Sequence, residues 1–340
     1  MRTIRRGSLV RAVAGGVLAL TGLAVLALPA MTYRYVRTEV RVADRYPAPA
    51  LPPLTAVERA EYAAAAARPG RSFVVLGYHD LGTAREPLAS GSAPLTVPVV
   101  ALAAQLRMLA AGGYRSVTAE DVAEALAGRR PLPRRAVLLT FDGGHARTWT
   151  HADAVLARYG FSAVVFVDPA RVGERRFLNW EELAAMVRTG RWSVGVDTPR
   201  AAAPVAIDAR GTRVSGLLAR RWLSDESRRE TAAEYRRRIG RALSEARAAL
   251  TDHGLPRPAL FSYPFQPGYP FDRAPAGIGD LAPVVNQHFA GGVLSTSPDR
   301  GVDAWWTDRR LLPRSVVYGA TSERLLNARL AESAAGSAAE

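Results

Sequence analysis

The sequence predicts an α/β protein in which parallel strands are connected by helices. Short apolar runs typical of buried strands alternate with amphipathic stretches through the middle of the 340-residue chain. Strand-like runs at 135–141 and 161–167 flank a helical stretch at 147–159, and another helix is predicted at 180–189. Since parallel strands need long crossover connections, this alternation favours a parallel sheet with helices between its strands.

Residues 1–34 are predicted to form an N-terminal membrane anchor. Several arginines precede an uncharged stretch from Ala12 to Tyr33, which exceeds the roughly 20 residues that a membrane-spanning helix needs. Leu28-Pro29-Ala30 is a poor signal-peptide cleavage site. We therefore expect an uncleaved, single-pass transmembrane helix in the cell membrane, with the rest of the chain on the extracytoplasmic side.

The rest of the chain divides by composition. Residues 35–70 are predicted to be a Pro-rich linker with a short helix, which Thr55 and Glu58 begin as a capping box. Residues 71–330 are predicted to be the folded domain. The small, polar residues 331–340 are predicted to be a disordered tail.

Two further helices can be predicted inside this domain. Thr118 and Asp121 have the spacing of a helix start, and that helix should end near Gly128. A helix over 226–252 has one apolar stripe and an opposite face rich in arginine. We interpret the arginine face as solvated, because glutamates are interleaved with it, although a patch for nucleic acid or an anionic glycan is an alternative. Nucleic acid is not an expected partner.

The charged composition is unusual because all 45 basic residues are arginine, against 31 acidic residues, giving a net charge of +14. There is no cysteine, which excludes disulfides and thiolate metal sites.

The most informative motif is Thr140-Phe141-Asp142-Gly143-Gly144, which ends the strand-like run 135–141. It resembles the Thr-Phe-Asp-Asp-Gly signature of polysaccharide deacetylases, the NodB-homology family of carbohydrate esterases. Other segments resemble the same family, in particular its poly-N-acetylglucosamine deacetylase branch, and together they extend over residues 72–317. They are 72–80, 105–114, 159–167, 179–183, Phe261-Ser262-Tyr263-Pro264-Phe265 and Leu312-Pro313-Arg314.

The resemblance implies a distorted (β/α) barrel that removes N-acetyl groups from amino sugars with the help of a bound metal. It also implies that Asp142 is the catalytic base and that Tyr263 and Phe265 bind substrate, with the Phe265 backbone N–H as the oxyanion donor. An alternative role for Asp142 is to cap the helix that follows it.

This chain departs from the family at the metal ligands. Gly143 replaces the ligand aspartate, while Asp197 and Ala201 stand where the family has histidines, and no histidine lies between 151 and 253. We therefore expect no metal cofactor. An alternative zinc site would use His79, Asp142 and Asp197, which all follow predicted strands. His79 is otherwise interpreted as a packed or hydrogen-bonded histidine.

The sequence thus predicts a membrane-anchored, deacetylase-like domain that is catalytically impaired and binds an N-acetylglucosamine-type polysaccharide or an assembly partner. One alternative is an active N-deacetylase with a remodelled site. Another is a structural subunit of an exopolysaccharide assembly complex, in which a glycosyltransferase is a possible partner.

Overall fold

The computed structural model describes residues 46–67, 73–83, 93–197, 203–264, 277–296 and 310–336. In chain order the strands of this part are β1 Phe73–Tyr78, β2 Asp80–Gly82, β3 Thr96–Pro98, β4 Arg115–Ser116, β5 Ala136–Phe141, β6 Ala163–Val167, β7 Trp192–Val196, β8 Pro204–Ala206, β9 Arg213–Ser215, β10 Trp222–Leu223, β11 Arg228–Arg229, β12 Leu260–Ser262, β13 Gly291–Thr296 and β14 Leu311–Val316. The helices are α1 Ala56–Ala67, α2 Val99–Ala111, α3 Ala119–Leu126, α4 Asp153–Tyr159, α5 Trp180–Arg188, α6 Ala232–Asp252, α7 Ile278–His288 and α8 Glu323–Gly336.

Seven parallel strands close into a barrel. Their order around the ring is β1, β14, β13, β12, β7, β6 and β5, and β1 also pairs with β5 along its whole length. The short strand β4 extends the sheet from β5. This closed parallel architecture with helical connections confirms the (β/α) barrel that the sequence predicts.

Most predicted elements are present. The strand predicted at 135–141 is β5, the one at 161–167 is β6, and α3 begins with the expected capping box of Thr118 and Asp121. The helix predicted over 147–159 consists of a π-helical turn at Thr148–Ala152 followed by α4.

The long helix predicted over 226–252 starts later than expected. Thr231 caps it by accepting a hydrogen bond from the Glu234 N–H, so α6 begins at Ala232. The residues before it form two small antiparallel pairs, β8 with β9 and β10 with β11, which the sequence analysis missed. The apolar stripe itself is confirmed, because Tyr235, Ile239, Leu243, Ala246 and Leu250 are all buried.

Side chains that point into the barrel form an apolar layer below a polar one. Alternate residues of each strand face the interior of the barrel. Along β5, Leu138 belongs to the apolar layer and Thr140, two residues later, to the polar layer. Leu312 and Arg314 are related in the same way along β14. The apolar layer joins Val122 of α3 in one hydrophobic cluster. The polar layer lies toward the carboxyl ends of the strands and is formed by Thr140, Asp142, Ser262, Ser295 and Arg314, all of them buried.

Arg314 is the centre of this polar layer and has no exposed surface. Its guanidinium makes two parallel hydrogen bonds to the Asp142 carboxylate, one of 2.7 Å from Nη1 to Oδ1 and a second from Nη2 to Oδ2. It also donates to Thr140 Oγ1 and Ser295 Oγ, both at 3.1 Å. Hydrogen bonds from Ser262 and Arg314 thus cross between four strands of the barrel.

Residues 46–67 pack against the barrel domain. The Tyr46 N–H donates to the Thr150 carbonyl at 2.9 Å, and the Tyr46 ring lies 4.6 Å from the His151 ring. Arg158 and Arg107 donate to the carbonyls of Pro49 and Pro52 respectively. Tyr62 of α1 is 1% exposed, so the helix that follows the Pro-rich stretch contributes to the core.

Two terminal predictions have different outcomes. The predicted anchor over 1–34 lies outside the described residues, and none of the helices in the described part is long and apolar enough to cross a membrane. The prediction of a disordered tail from 331 is wrong at its start, because α8 continues to Gly336. The four residues after Gly336 are outside the described part.

Replacing Arg314 by methionine should destabilise the fold by about 3–5 kcal/mol, because Asp142 would be left as an unpaired buried charge. Urea unfolding of the full chain, followed by circular dichroism, measures this change. Arg134→Met is the matched control at an exposed arginine. Adding Asp142→Asn to Arg314→Met should recover part of the loss. An Arg314→Met variant as stable as the control would contradict the prediction.

Candidate functional site

The three residues of the alternative metal site lie at one end of the barrel. His79 directly follows β1, Asp142 follows β5 and Asp197 follows β7. All three strands run parallel in the same closed sheet, so their carboxyl ends meet at a common mouth. The strands thus bring the three residues to one end of the barrel, and a joint metal site at these residues stays a prediction.

Asp142 is held by Arg314 and not by the helix that follows. Its carboxylate accepts hydrogen bonds from Arg314 and, at 3.3 Å, from Ser262 Oγ. Burial alone would raise the pKa of Asp142, but the Arg314 charge, His79 and these hydrogen bonds hold the pKa below its ordinary value. The alternative interpretation of Asp142 as a helix cap is therefore wrong.

Arg314 fits beneath the mouth because Gly77 has no side chain. A Cβ placed on Gly77 would lie 3.1 Å from Arg314 Cδ and 3.2 Å from its Nε. The glycine near the end of β1 therefore leaves the space through which the arginine reaches Asp142.

His79 lies beside the same carboxylate, with Nδ1 3.6 Å from Asp142 Oδ2. Burial lowers the pKa of His79, the Asp142 charge opposes that effect, and Arg314 and His145 lower it further. A neutral imidazole next to an ionised carboxylate is thus the favoured state of this pair near neutral pH.

Gly143 is in the left-handed region with φ +82°, and its N–H donates to Asp197 Oδ2 at 3.0 Å. Asp197 therefore interacts with the backbone at the position where the family has its ligand aspartate. The His145 ring takes the adjacent space, since a Cβ on Gly143 would lie 2.9 Å from His145 Nε2. A side chain at 143 would have to displace that imidazole.

His145 is fixed by the loop that follows β6. The backbone N–H of Leu178 donates to the Gly144 carbonyl, and that of Ala146 donates to the Arg176 carbonyl, both at 2.9 Å. The Phe177 ring lies 5.0 Å from the His145 ring. Burial lowers the pKa of His145, Asp80 opposes this, and two nearby arginines lower it further.

These contacts do not fit the metal that the fold family implies. Gly143 offers no ligand atom, Asp197 is engaged by the Gly143 backbone, and Asp142 is neutralised by Arg314. Within the described ranges, no group of three or more histidine, aspartate or glutamate side chains is arranged to hold a metal ion. The family position at Ala201 lies outside those ranges.

The two predicted substrate-binding residues have different outcomes. Tyr263 is 1% exposed, and its ring lies edge-on to Phe261 at 5.2 Å between centroids. Burial raises the pKa of its hydroxyl. Tyr263 is therefore a core residue, and packing in the core is sufficient to explain why an aromatic side chain stands at this position. Phe265 lies outside the described residues, so its role as an oxyanion donor stays a prediction.

Sequence reasoning missed the roles of Arg314 and His145. Arg314 belongs to a motif that was recognised, but its partner Asp142 is 172 positions away in the chain. His145 stands two positions after Gly143, and an unusual histidine beside a missing ligand was the available signal.

Comparison with known proteins agrees with the sequence motifs. The chain is 29% identical over 186 residues to the poly-beta-1,6-N-acetyl-D-glucosamine N-deacetylase of Escherichia coli (strain K12). The aligned region covers 50% of this chain and 27% of that relative. The chain therefore spans about a quarter of the length of the curated relative it matches.

Solved structures show the same fold. A de-N-acetylase from Aggregatibacter actinomycetemcomitans matches 76% of this chain and 99% of its own, at a TM-score of 0.60 and 17% identity. IcaB from Ammonifex degensii matches 77% of this chain and 98% of its own, at a TM-score of 0.55 and 22% identity. Residues 129–267, which include β5 to β7 and β12, match the family model for polysaccharide deacetylase. Residues 129–267 of this chain are thus similar to polysaccharide deacetylases.

Proposed function

We propose that this domain binds an N-acetylated amino-sugar polymer at the barrel mouth and is impaired in hydrolysing it. The observation that supports the impairment most directly is the arrangement at Gly143. The ligand aspartate is absent there, the His145 ring fills the space beside it, and Asp197 accepts a hydrogen bond from the Gly143 N–H. The mouth is therefore built from protein hydrogen bonds where the family would hold a metal.

The state of Asp142 supports the same conclusion. A general base works best when its pKa lies near the working pH, and the pKa of Asp142 is held below its ordinary value. Both carboxylate oxygens also accept hydrogen bonds from Arg314. Asp142 is thus suited to orient polar groups at the mouth and is a weak proton acceptor.

The ligand class is inferred from the relatives. The Escherichia coli relative is named as acting on poly-beta-1,6-N-acetyl-D-glucosamine, and this supports a polymer of N-acetylglucosamine as the ligand of this chain. Such a sugar offers hydroxyl and amide groups, which the imidazoles of His79 and His145 and the Asp142 carboxylate can hydrogen-bond.

We also propose a place in the cell envelope. The uncharged stretch Ala12–Tyr33 would anchor the chain in the cell membrane as a single span, with the domain outside the cytoplasm. A glycosyltransferase that makes the polymer is the proposed assembly partner. In that arrangement the domain would hold the growing chain beside the enzyme that extends it.

The second candidate function is an active N-deacetylase with zinc at a remodelled site. The observation that favours it is the closeness of His79 to Asp142, with Asp197 bonded to the neighbouring Gly143. Mixed histidine and carboxylate ligands suit zinc. Against it, the fully buried Arg314 charge already contacts both Asp142 oxygens and would repel a second cation there.

The purified full chain should contain no stoichiometric zinc, release little acetate from β-1,6-linked N-acetylglucosamine oligomers, and still bind them. Elemental analysis, an acetate assay and calorimetry measure these quantities. His145→Ala should weaken oligomer binding, whereas His253→Ala, at an exposed histidine outside the mouth, should not. Acetate release with about one zinc per chain, both lost in His79→Ala, would instead establish the remodelled site.

Restoring the family ligands should give metal affinity with little turnover. The change is Gly143→Asp with Asp197→His and Ala201→His. A residue at 143 must adopt φ +82° and displace His145, so adding His145→Ala should tighten zinc binding measured by calorimetry. Turnover should stay low, because the late motif Leu312-Pro313-Arg314 also lacks the histidine that acts as general acid in the family. General acid–base help is typically worth about 10²–10⁴-fold. In the matched control variant, His253→Ala replaces His145→Ala as the fourth substitution.

Two results would contradict this. If adding His145→Ala to the triple variant left its zinc affinity unchanged, the His145 imidazole would be no obstacle to a side chain at position 143. Family-like acetate release from the triple variant would show that the rest of the catalytic site is intact.

A further inference from the structure

An arm formed by residues 203–231 lies between β7 and α6 in the chain and contains six arginines. It contains the pairs β8–β9 and β10–β11. Glu230, at the base of the arm, is 2% exposed and accepts hydrogen bonds from two arginines. Arg221 Nε and Arg238 Nε both lie 2.8 Å from Glu230 Oε1, so this carboxylate joins the arm to α6.

Arg220, Arg221, Arg237, Arg238 and Arg241 form what we call the arginine surface. Arg221 and Arg238 meet at Glu230, and Arg220 is adjacent to Arg221. On α6, Arg241 lies one turn from both Arg237 and Arg238, at spacings of four and three residues. Two of the five guanidinium groups therefore contact one buried carboxylate, and the other three belong to residues next to them in sequence or one helical turn away.

The nearby acidic residues pair with only part of this surface. Glu230 is buried under Arg221 and Arg238. Glu234 caps α6 through Thr231 and pairs with Arg228 at 2.8 Å. Of the interleaved glutamates that suggested a solvated, balanced face, Glu230 and Glu234 are thus used in these contacts, while Glu245 is exposed four residues after Arg241. Within the described part of the chain, the exposed side chains of Arg220, Arg237 and Arg241 make no hydrogen bond or ion pair.

The surroundings of these arginines indicate the kind of partner. Residues 203–252 are all described, and none of their large hydrophobic side chains is exposed. The aromatic side chains of this stretch are Tyr235, which is buried, and Trp222, which is half-buried. Such a surface lacks the row of exposed rings on which successive nucleic-acid bases stack, and it lacks exposed large apolar side chains to enter a lipid bilayer. Guanidinium groups do match carboxylates, which they bind through paired hydrogen bonds.

We propose that the arginine surface binds an acidic polysaccharide through its carboxylate groups. This surface is separate from the neutral-glycan site proposed at the barrel mouth. The two sites take chemically different polymers, so either can fail in an experiment without affecting the other. A domain with both would connect an N-acetylated polymer to an anionic component of its surroundings.

The test measures binding of polygalacturonate to the full chain by calorimetry at several salt concentrations. The variant Arg220→Gln/Arg237→Gln/Arg241→Gln should bind about 10- to 100-fold more weakly, since each exposed ion pair contributes modestly. Its salt dependence should also be shallower. The control Arg59→Gln/Arg134→Gln/Arg188→Gln removes the same charge from other exposed arginines and should bind like the unchanged chain.

Three results would overturn the proposal. One is a failure of the unchanged chain to bind polygalacturonate. Another is equal weakening in both triple variants, which would mean that only net charge matters. The third is tighter binding of a thymidine oligonucleotide or of phosphatidylglycerol vesicles, lost in the Arg220/Arg237/Arg241 variant, which would assign the surface to nucleic acid or membrane. Binding of N-acetylglucosamine oligomers, measured in parallel, should be the same in all three proteins.

Discussion

The buried ion pair between Arg314 and Asp142 determines what the barrel mouth can be. A charge with no exposed surface is tolerated only when an opposite charge and further hydrogen bonds compensate its lost hydration. Arg314 satisfies this by contacting Asp142, Thr140, Ser262 and Ser295. The same arrangement fixes the ends of four strands and occupies both oxygens of the carboxylate at the mouth.

The substitution at Gly143 has effects beyond the loss of one ligand. A glycine at φ +82° lets the loop bring its N–H to Asp197 and leaves room for the His145 ring. The conformation of this loop and the positions of His145 and Asp197 therefore all depend on the absence of a side chain at position 143. These coupled changes distinguish the mouth from a family-like site that has lost only one ligand residue.

The fold was largely predictable because its signals are local. The apolar run of β5 and the cap at Thr118 specify a strand and a helix start without reference to the rest of the chain. The site was less predictable, since the contact of Arg314 with Asp142 depends on the closure of the whole barrel. The pairs β8–β9 and β10–β11 were missed because strands of two or three residues have no periodicity to detect.

The packing of residues 46–67 on the barrel affects where the folding unit begins. Tyr62 is buried, and Arg107 and Arg158 hold the carbonyls of Pro52 and Pro49. A protein fragment that began at residue 71, the predicted start of the folded domain, would uncover the apolar surface of α2 that these residues shield. The part of the chain that resembles the family is thus smaller than the compact unit, which begins at Tyr46.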